Sequence, residues 1–231
     1  MPVLFAAGGA AAYALAFGLL RADGPAFVAK AGGYVQLTLT LVALGFAIVI
    51  GGSYSGVFEG DAVTLSTSVR WLVVAVAVGA ACFGVELAIG HAIHAARRSV
   101  RMLRHPALEG GTGALSTVEI GITTFALVGV GLAVAEELLW RQVLIGWLVR
   151  DEGWSSVSAV VLSAALFGLN HYWFGLRNIV TKAIDGAAWG TLLVASGSVI
   201  VPVAAHITFQ SLVWRRLQNQ SRSREVAGAN A

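Results

Sequence analysis

Charge is what this 231-residue chain has least of. Asp, Glu, Lys and Arg make up 12% of it, against about 25% in an ordinary globular protein. So few charged groups cannot cover a water-facing surface, and with hydrophobic residues at 57% the expected solvent is the bilayer. Cysteine is nearly absent: Cys82 stands alone in the middle of an apolar run, which excludes an intrachain disulfide. Also missing is a basic segment ahead of the first apolar run, "VLFAAGGAAAYALAFGLL", so that run is expected as an uncleaved first span and not as a secretory signal. No internal repeat and no low-complexity linker divides the chain, so residues 1–231 are expected to form one membrane domain.

What is present are apolar runs near 3–20, 34–51, 71–93, 118–149, 155–172, 179–196 and 198–216. Each approaches the length needed to cross about 30 Å of hydrocarbon. In lipid every backbone group must find its partner within its own segment, so the expected class is all-α, a polytopic transmembrane helical bundle. The run 118–149 would measure about 48 Å as a straight helix at 1.5 Å per residue, so it must tilt, bend or split around its charged middle.

The scarce cations are clustered, at Arg97, Arg98, Arg101 and Arg104 and again at Arg215, Arg216, Arg222 and Arg224. Both clusters flank apolar runs and lack interleaved aromatics, which fits cytoplasmic anchoring and not nucleic-acid binding. Placing both clusters inside requires four crossings between them. Counting backward puts Arg21 and Lys30 in a cytoplasmic loop and the N-terminus outside. Seven spans result, or eight if 118–149 breaks in two.

Chemistry is distributed unevenly along the bundle. Residues 1–93 are rich in Gly, Ala and Val, as expected of peripheral, lipid-facing helices, whereas 118–216 hold nearly every ionisable group within the spans. The stretch "VGLAVAEELLWRQVLIGWLV", residues 130–149, places Glu136, Glu137 and Arg141 in an otherwise apolar helix. Glu137 and Arg141 are i and i+4 and can meet, while Glu136 is turned about 100° away. A helix-joining ionic patch accounts for Glu137 and Arg141 but poorly for Glu136, since a second carboxylate adds repulsion and desolvation. A carboxylate in such a setting suits general-base work.

Two downstream stretches supply complementary groups. In "ALFGLNHYWF", Phe167 and His171 are i and i+4; capping or an aromatic belt with Tyr172 and Trp173 would explain the histidine alone. In "VPVAAHITFQSLVW", His206 and Gln210 are i and i+4; interhelical hydrogen bonding would explain that pair alone. Ionisable groups within spans are costly and point to function when they gather. A carboxylate can activate water, and imidazole and amide donors can hold an oxyanion, which amounts to acyl hydrolysis without a serine or cysteine nucleophile. Glu136, His171 and His206 could equally ligate a divalent metal such as zinc, and the sequence leaves these two mechanisms open. Glu86, His91 and His94 form a weaker set, in which Glu86 is expected to pair across the bundle; Lys182 and Asp185, at i and i+3, are expected to pair with each other.

These three stretches resemble the CPBP family of intramembrane proteins, which includes CAAX-type prenyl-protein endopeptidases and bacteriocin-processing or immunity (Abi-like) proteins. "EELLWR" matches its EExxxR motif, "FGLNH" its FxxxH motif, and "HITFQ" approximates its HxxxN motif. The resemblance covers roughly 118–214, including "KAIDGAAWGTLLVASGSVIVPVAAH" as a helix, small-residue turn and following helix. It implies that Glu136 activates the attacking water, that His171 positions it, and that His206 with residue 210 stabilises the oxyanion. Glu137 and Arg141 would then orient and balance charge. Gln210 stands where the family pattern has asparagine, which moves the amide by about 1.5 Å, enough to matter to catalysis.

The expected function is therefore an intramembrane endopeptidase acting on a membrane-embedded or lipidated peptide or protein, in a prokaryotic plasma membrane. The alternatives are a catalytically impaired immunity or scaffold protein, which Gln210 favours, and an ion-coupled transporter, which the lack of an inverted repeat disfavours.

Overall fold

The computed structural model describes residues 40–42, 65–99, 122–171 and 174–229. The first apolar run, all of the second but residues 40–42, most of the arginine-rich segment 94–117, and Tyr172 with Trp173 lie outside these residues, as does the orientation expected for the N-terminal half. Among the described residues the fold is entirely helical. Its elements are α1 (Leu65–Ser99), α2 (residues 122–150), α3 (Ser156–Leu169), α4 (Leu176–Ser196) and α5 (Ile200–Ala229).

α1 shows how composition sets packing. Its buried positions are Ala75, Gly79, Cys82 and Gly90, a stripe of small residues at helical spacing that lets another backbone come close. Val69, Leu72, Val73, Val76 and Val85 point outward and are exposed. Within α1, Val69–Ala96 is the one helical stretch among the described residues long and apolar enough by itself to cross a membrane. α3 is apolar but has 14 residues, about 21 Å of helix at 1.5 Å per residue.

The long run through 122–150 neither ends nor splits at its charges. It relaxes into wide π-turns at Phe125–Val130 and Leu138–Ile145, on either side of the ordinary α-turns Gly131–Glu137. A π-turn rotates each side chain less about the axis than an α-turn does, and such turns often occur at functional sites. Here Glu136 and Glu137 close one segment and Arg141 sits in the next.

Short connections keep neighbouring helices antiparallel. Ser155 caps α3, its Oγ accepting the Ser158 N–H at 3.1 Å. α4 ends at Gly197, whose φ of 69° needs a residue without a Cβ and whose N–H bonds the Leu193 carbonyl at 2.8 Å. α3 lies on α4 through Gly168, where an added Cβ would come within 2.6 Å of the Ile179 carbonyl, and through Gly186 against Ala164. Ser163 Oγ donates to the Trp140 carbonyl at 2.8 Å and ties α3 to α2. Trp140, Phe167, Trp189 and Phe209 meet at the centre of the bundle. Outward faces remain apolar, with Val157 at 74% and Val161 at 62% exposure.

Because the α3–α4 crossing leaves no room at Gly168, Gly168→Val should lower stability by about 1–3 kcal/mol, the usual scale of overpacking. Thermal unfolding in detergent measures it; an unchanged Tm would refute the crossing as described.

Candidate active site

Glu136, Glu137, Arg141 and Gln210 gather around one imidazole, that of His206. His206 on α5 is buried, and its Nδ1–H donates to Glu137 Oε1 on α2 at 2.9 Å. Its other ring nitrogen, Nε2, lies 3.9 Å from Glu136 Oε2 and 3.4 Å from the Gln210 amide nitrogen. The two adjacent carboxylates therefore address opposite nitrogens of the same ring. Their angular offset on the helix, which sends them in different directions, is what allows an imidazole between them to meet both. The contact to Glu137 fixes the tautomer, leaving Nε2 toward Glu136 and Gln210.

Arg141 completes this group. Its Nε stands 3.1 Å from Glu137 Oε2, the i, i+4 pairing expected from spacing, with both side chains wholly buried. The guanidinium carbon lies 4.4 Å from the Phe167 ring centroid and 5.4 Å from that of Trp189, so two aromatic faces carry part of its charge. Among the described residues its two terminal nitrogens find no hydrogen-bond acceptor, so the ion pair with Glu137 and the aromatic faces are what hold it.

His171 enters by a different route. It follows the last turn of α3, and its Nδ1–H donates to the Phe167 carbonyl at 2.9 Å. That bond turns Nε2 into the acceptor of the ring. Its imidazole meets Phe167 edge to face at 4.9 Å, and Phe167 meets His206 likewise at 6.3 Å. Phe167 is thus the hub between the two histidines, fully buried and in contact with Arg141 as well.

Trp189 lies within the small-residue stretch of α4, and the sequence pattern does not mark it as a site residue. It stacks on His206 with centroids 4.1 Å apart and planes 24° from parallel, closing the ring face away from solvent. An aromatic inside an apolar helix carries no signal of its own; its place one turn beyond Asp185 on the buried face of α4 was the only clue.

The second ionic group is larger than expected. Lys182 pairs with Asp185 at 2.9 Å and also with Glu86 of α1 at 3.0 Å. Glu86 is thereby committed across the bundle, while His91 and His94 are exposed. No set of three or more His, Cys, Asp or Glu side chains among the described residues is gathered as a metal site. Glu136 and His206 form a two-donor edge at 3.9 Å, short of the three ligands a catalytic zinc takes.

Removing Arg141 would leave Glu137 as an uncompensated buried charge. Arg141→Met is expected to cost about 3–5 kcal/mol, and Arg141→Met combined with Glu137→Leu to recover much of that loss. Unfolding free energies of the two variants, measured against wild type, decide this; equal losses in both would show that the pair is not what holds the site.

No curated protein and no solved structure matches the chain. Residues 118–212, which carry every group gathered around His206, match the family model described as type II CAAX prenyl endopeptidase Rce1-like. The matched region is thus similar to the Rce1-like type II CAAX prenyl endopeptidases, consistent with a CPBP family protease.

Proposed function

We propose that this protein is an intramembrane endopeptidase that hydrolyses a peptide bond in or beside the bilayer with water activated by Glu136. The observation that supports this most strongly is the convergence of Glu136, Gln210 and a Glu137-anchored His206 within one buried cluster. Glu136 takes a proton from water as the oxygen attacks the scissile carbonyl, then passes it to the departing amine. His171, its Nδ1–H already committed to the Phe167 carbonyl, offers Nε2 to orient that water. Glu137 supports positive charge on His206 in the way a buried carboxylate supports a catalytic imidazole. With its second proton in place, His206 Nε2–H and the Gln210 amide are adjacent donors, 3.4 Å apart, for the developing oxyanion. The longer Gln210 side chain still delivers its amide to His206, which favours an enzyme over an impaired relative.

A divalent metal would supply a lowered pKa for bound water. Glu136 and His206 do not by themselves make a full ligand set.

The bilayer setting rests on the outward apolar faces of the helices and on α1 as a span. Seven spans, or eight, with the N-terminus outside, the C-terminus cytoplasmic and 118–216 as the catalytic core of a single membrane domain, complete the reading. A prokaryotic plasma membrane is its setting. The substrate class is a membrane-embedded or lipidated peptide, since the site lies within the apolar bundle.

Mass spectrometry of membrane peptides from cells carrying wild type, Glu136→Gln or Gln210→Asn tests this. Products present with wild type should vanish with Glu136→Gln and persist with Gln210→Asn. Full product formation by Glu136→Gln would overturn the mechanism.

A further inference from the structure

The geometry points to α1, which lies outside residues 118–212, as a positioning element of the catalytic unit: its Gly79–Glu86 face sets the height of α5, and with it His206 and Gln210. This goes beyond the peripheral packing expected of that helix, and its kinetic test rests on the endopeptidase reading.

Three contacts carry it. At Gly79 the α5 backbone comes so close that an added Cβ would overlap the Ala205 carbonyl and stand 3.0 Å from Thr208 Cβ. Ala205 is the residue immediately before His206. One turn along α1, Phe83 meets Phe209 edge to face at 6.2 Å. Phe209 stands between His206 and Gln210 in the chain. One turn further, Glu86 holds Lys182, whose ammonium lies 3.8 Å from the centroid of the same Phe209 ring. Arg177 of α4 adds a bond from its Nη2 to the Glu86 carbonyl at 3.1 Å, over Gly90.

The contacts of Gly79, Phe83 and Lys182 fall on Ala205, Thr208 and Phe209, which flank both donors, His206 and Gln210. The Gly79 contact is to backbone, which no change of side-chain rotamer can relieve. A methyl group there must displace α5 along or away from α2. His206 would then move against Glu137 and Trp189, which it meets at 2.9 Å and 4.1 Å. Gly84 is the built-in comparison, since a Cβ added there meets nothing within 4 Å.

The experiment uses the full chain in detergent micelles with Gly79→Ala, Gly84→Ala and Glu86→Gln. One readout is kcat and KM on an internally quenched farnesylated peptide ending in Cys-aliphatic-aliphatic-X. The other needs no turnover: ¹⁵N-histidine spectra of a chain with five histidines, the His206 signals assigned with His206→Gln. Gly79→Ala should lower kcat about tenfold to a hundredfold, with KM within about twofold of wild type, as expected when only transition-state contacts are disturbed. It should shift the His206 signals and leave those of His91 and His94 in place. Gly84→Ala should change nothing, and Glu86→Gln should shift His206 in the same sense by less. A role in stability alone would lower Tm without that selective shift. His206 signals at wild-type positions in Gly79→Ala, or equal shifts in Gly84→Ala, would overturn the inference. If Gly79→Ala does not fold, unmoved His206 signals in Glu86→Gln overturn it instead. A wild type that leaves the peptide uncut, with His206 still shifted in Gly79→Ala, counts against that substrate class and not against the role of α1.

Discussion

The site depends on one fully buried carboxylate with two partners. Glu137 gives one oxygen to the Arg141 guanidinium and the other to the His206 imidazole, and so joins α2 to α5 at the centre of the bundle. A charge there is tolerable only because it is paired and hydrogen-bonded; either partner alone would leave it costly. Everything else with chemical consequence is placed relative to that bridge. Trp189 closes the face of the ring that Glu137 holds. Phe167 lies under the arginine that Glu137 balances and links it to His171.

This arrangement divides labour between adjacent residues that composition alone cannot tell apart. Glu137 is saturated by structural partners, whereas Glu136 faces the second nitrogen of the same ring beyond direct hydrogen-bond length, at 3.9 Å. The wide turns of α2 on both sides of the pair belong to this division. A strand of α-helix uninterrupted from end to end would fix all three ionisable groups at a uniform rotation per residue. The π-turns change that rotation just where Arg141 has to reach back to Glu137.

Much of this was legible in the sequence. The i, i+4 spacing gave the Glu137–Arg141 and His206–Gln210 relations directly, because helical periodicity fixes which side chains can meet. The ion pair of Lys182 with Asp185 follows from the same rule, and a partner for Glu86 across the bundle is expected on burial grounds. The third partner of that group is not, since it depends on which helix lies beside α1. Nor could spacing reveal that both glutamates serve one histidine, or that Trp189 covers it, because these are contacts between helices. The π-turns left no mark in residue pattern at all. The apolar runs suggest several spans, and among the described residues α1 meets that expectation by length and composition.

The account turns on a separation of roles between Glu136 and Glu137, and a single paired measurement addresses it: unfolding temperature and peptide cleavage for Glu136→Gln and Glu137→Gln, purified side by side. Glu136→Gln should lose cleavage with a smaller loss of Tm than Glu137→Gln, because in the proposed mechanism its carboxylate acts on water. Glu137→Gln should lose Tm as well as cleavage, because it leaves Arg141 without a counter-charge. Cleavage retained by Glu136→Gln, or equal loss of Tm in both, would contradict it.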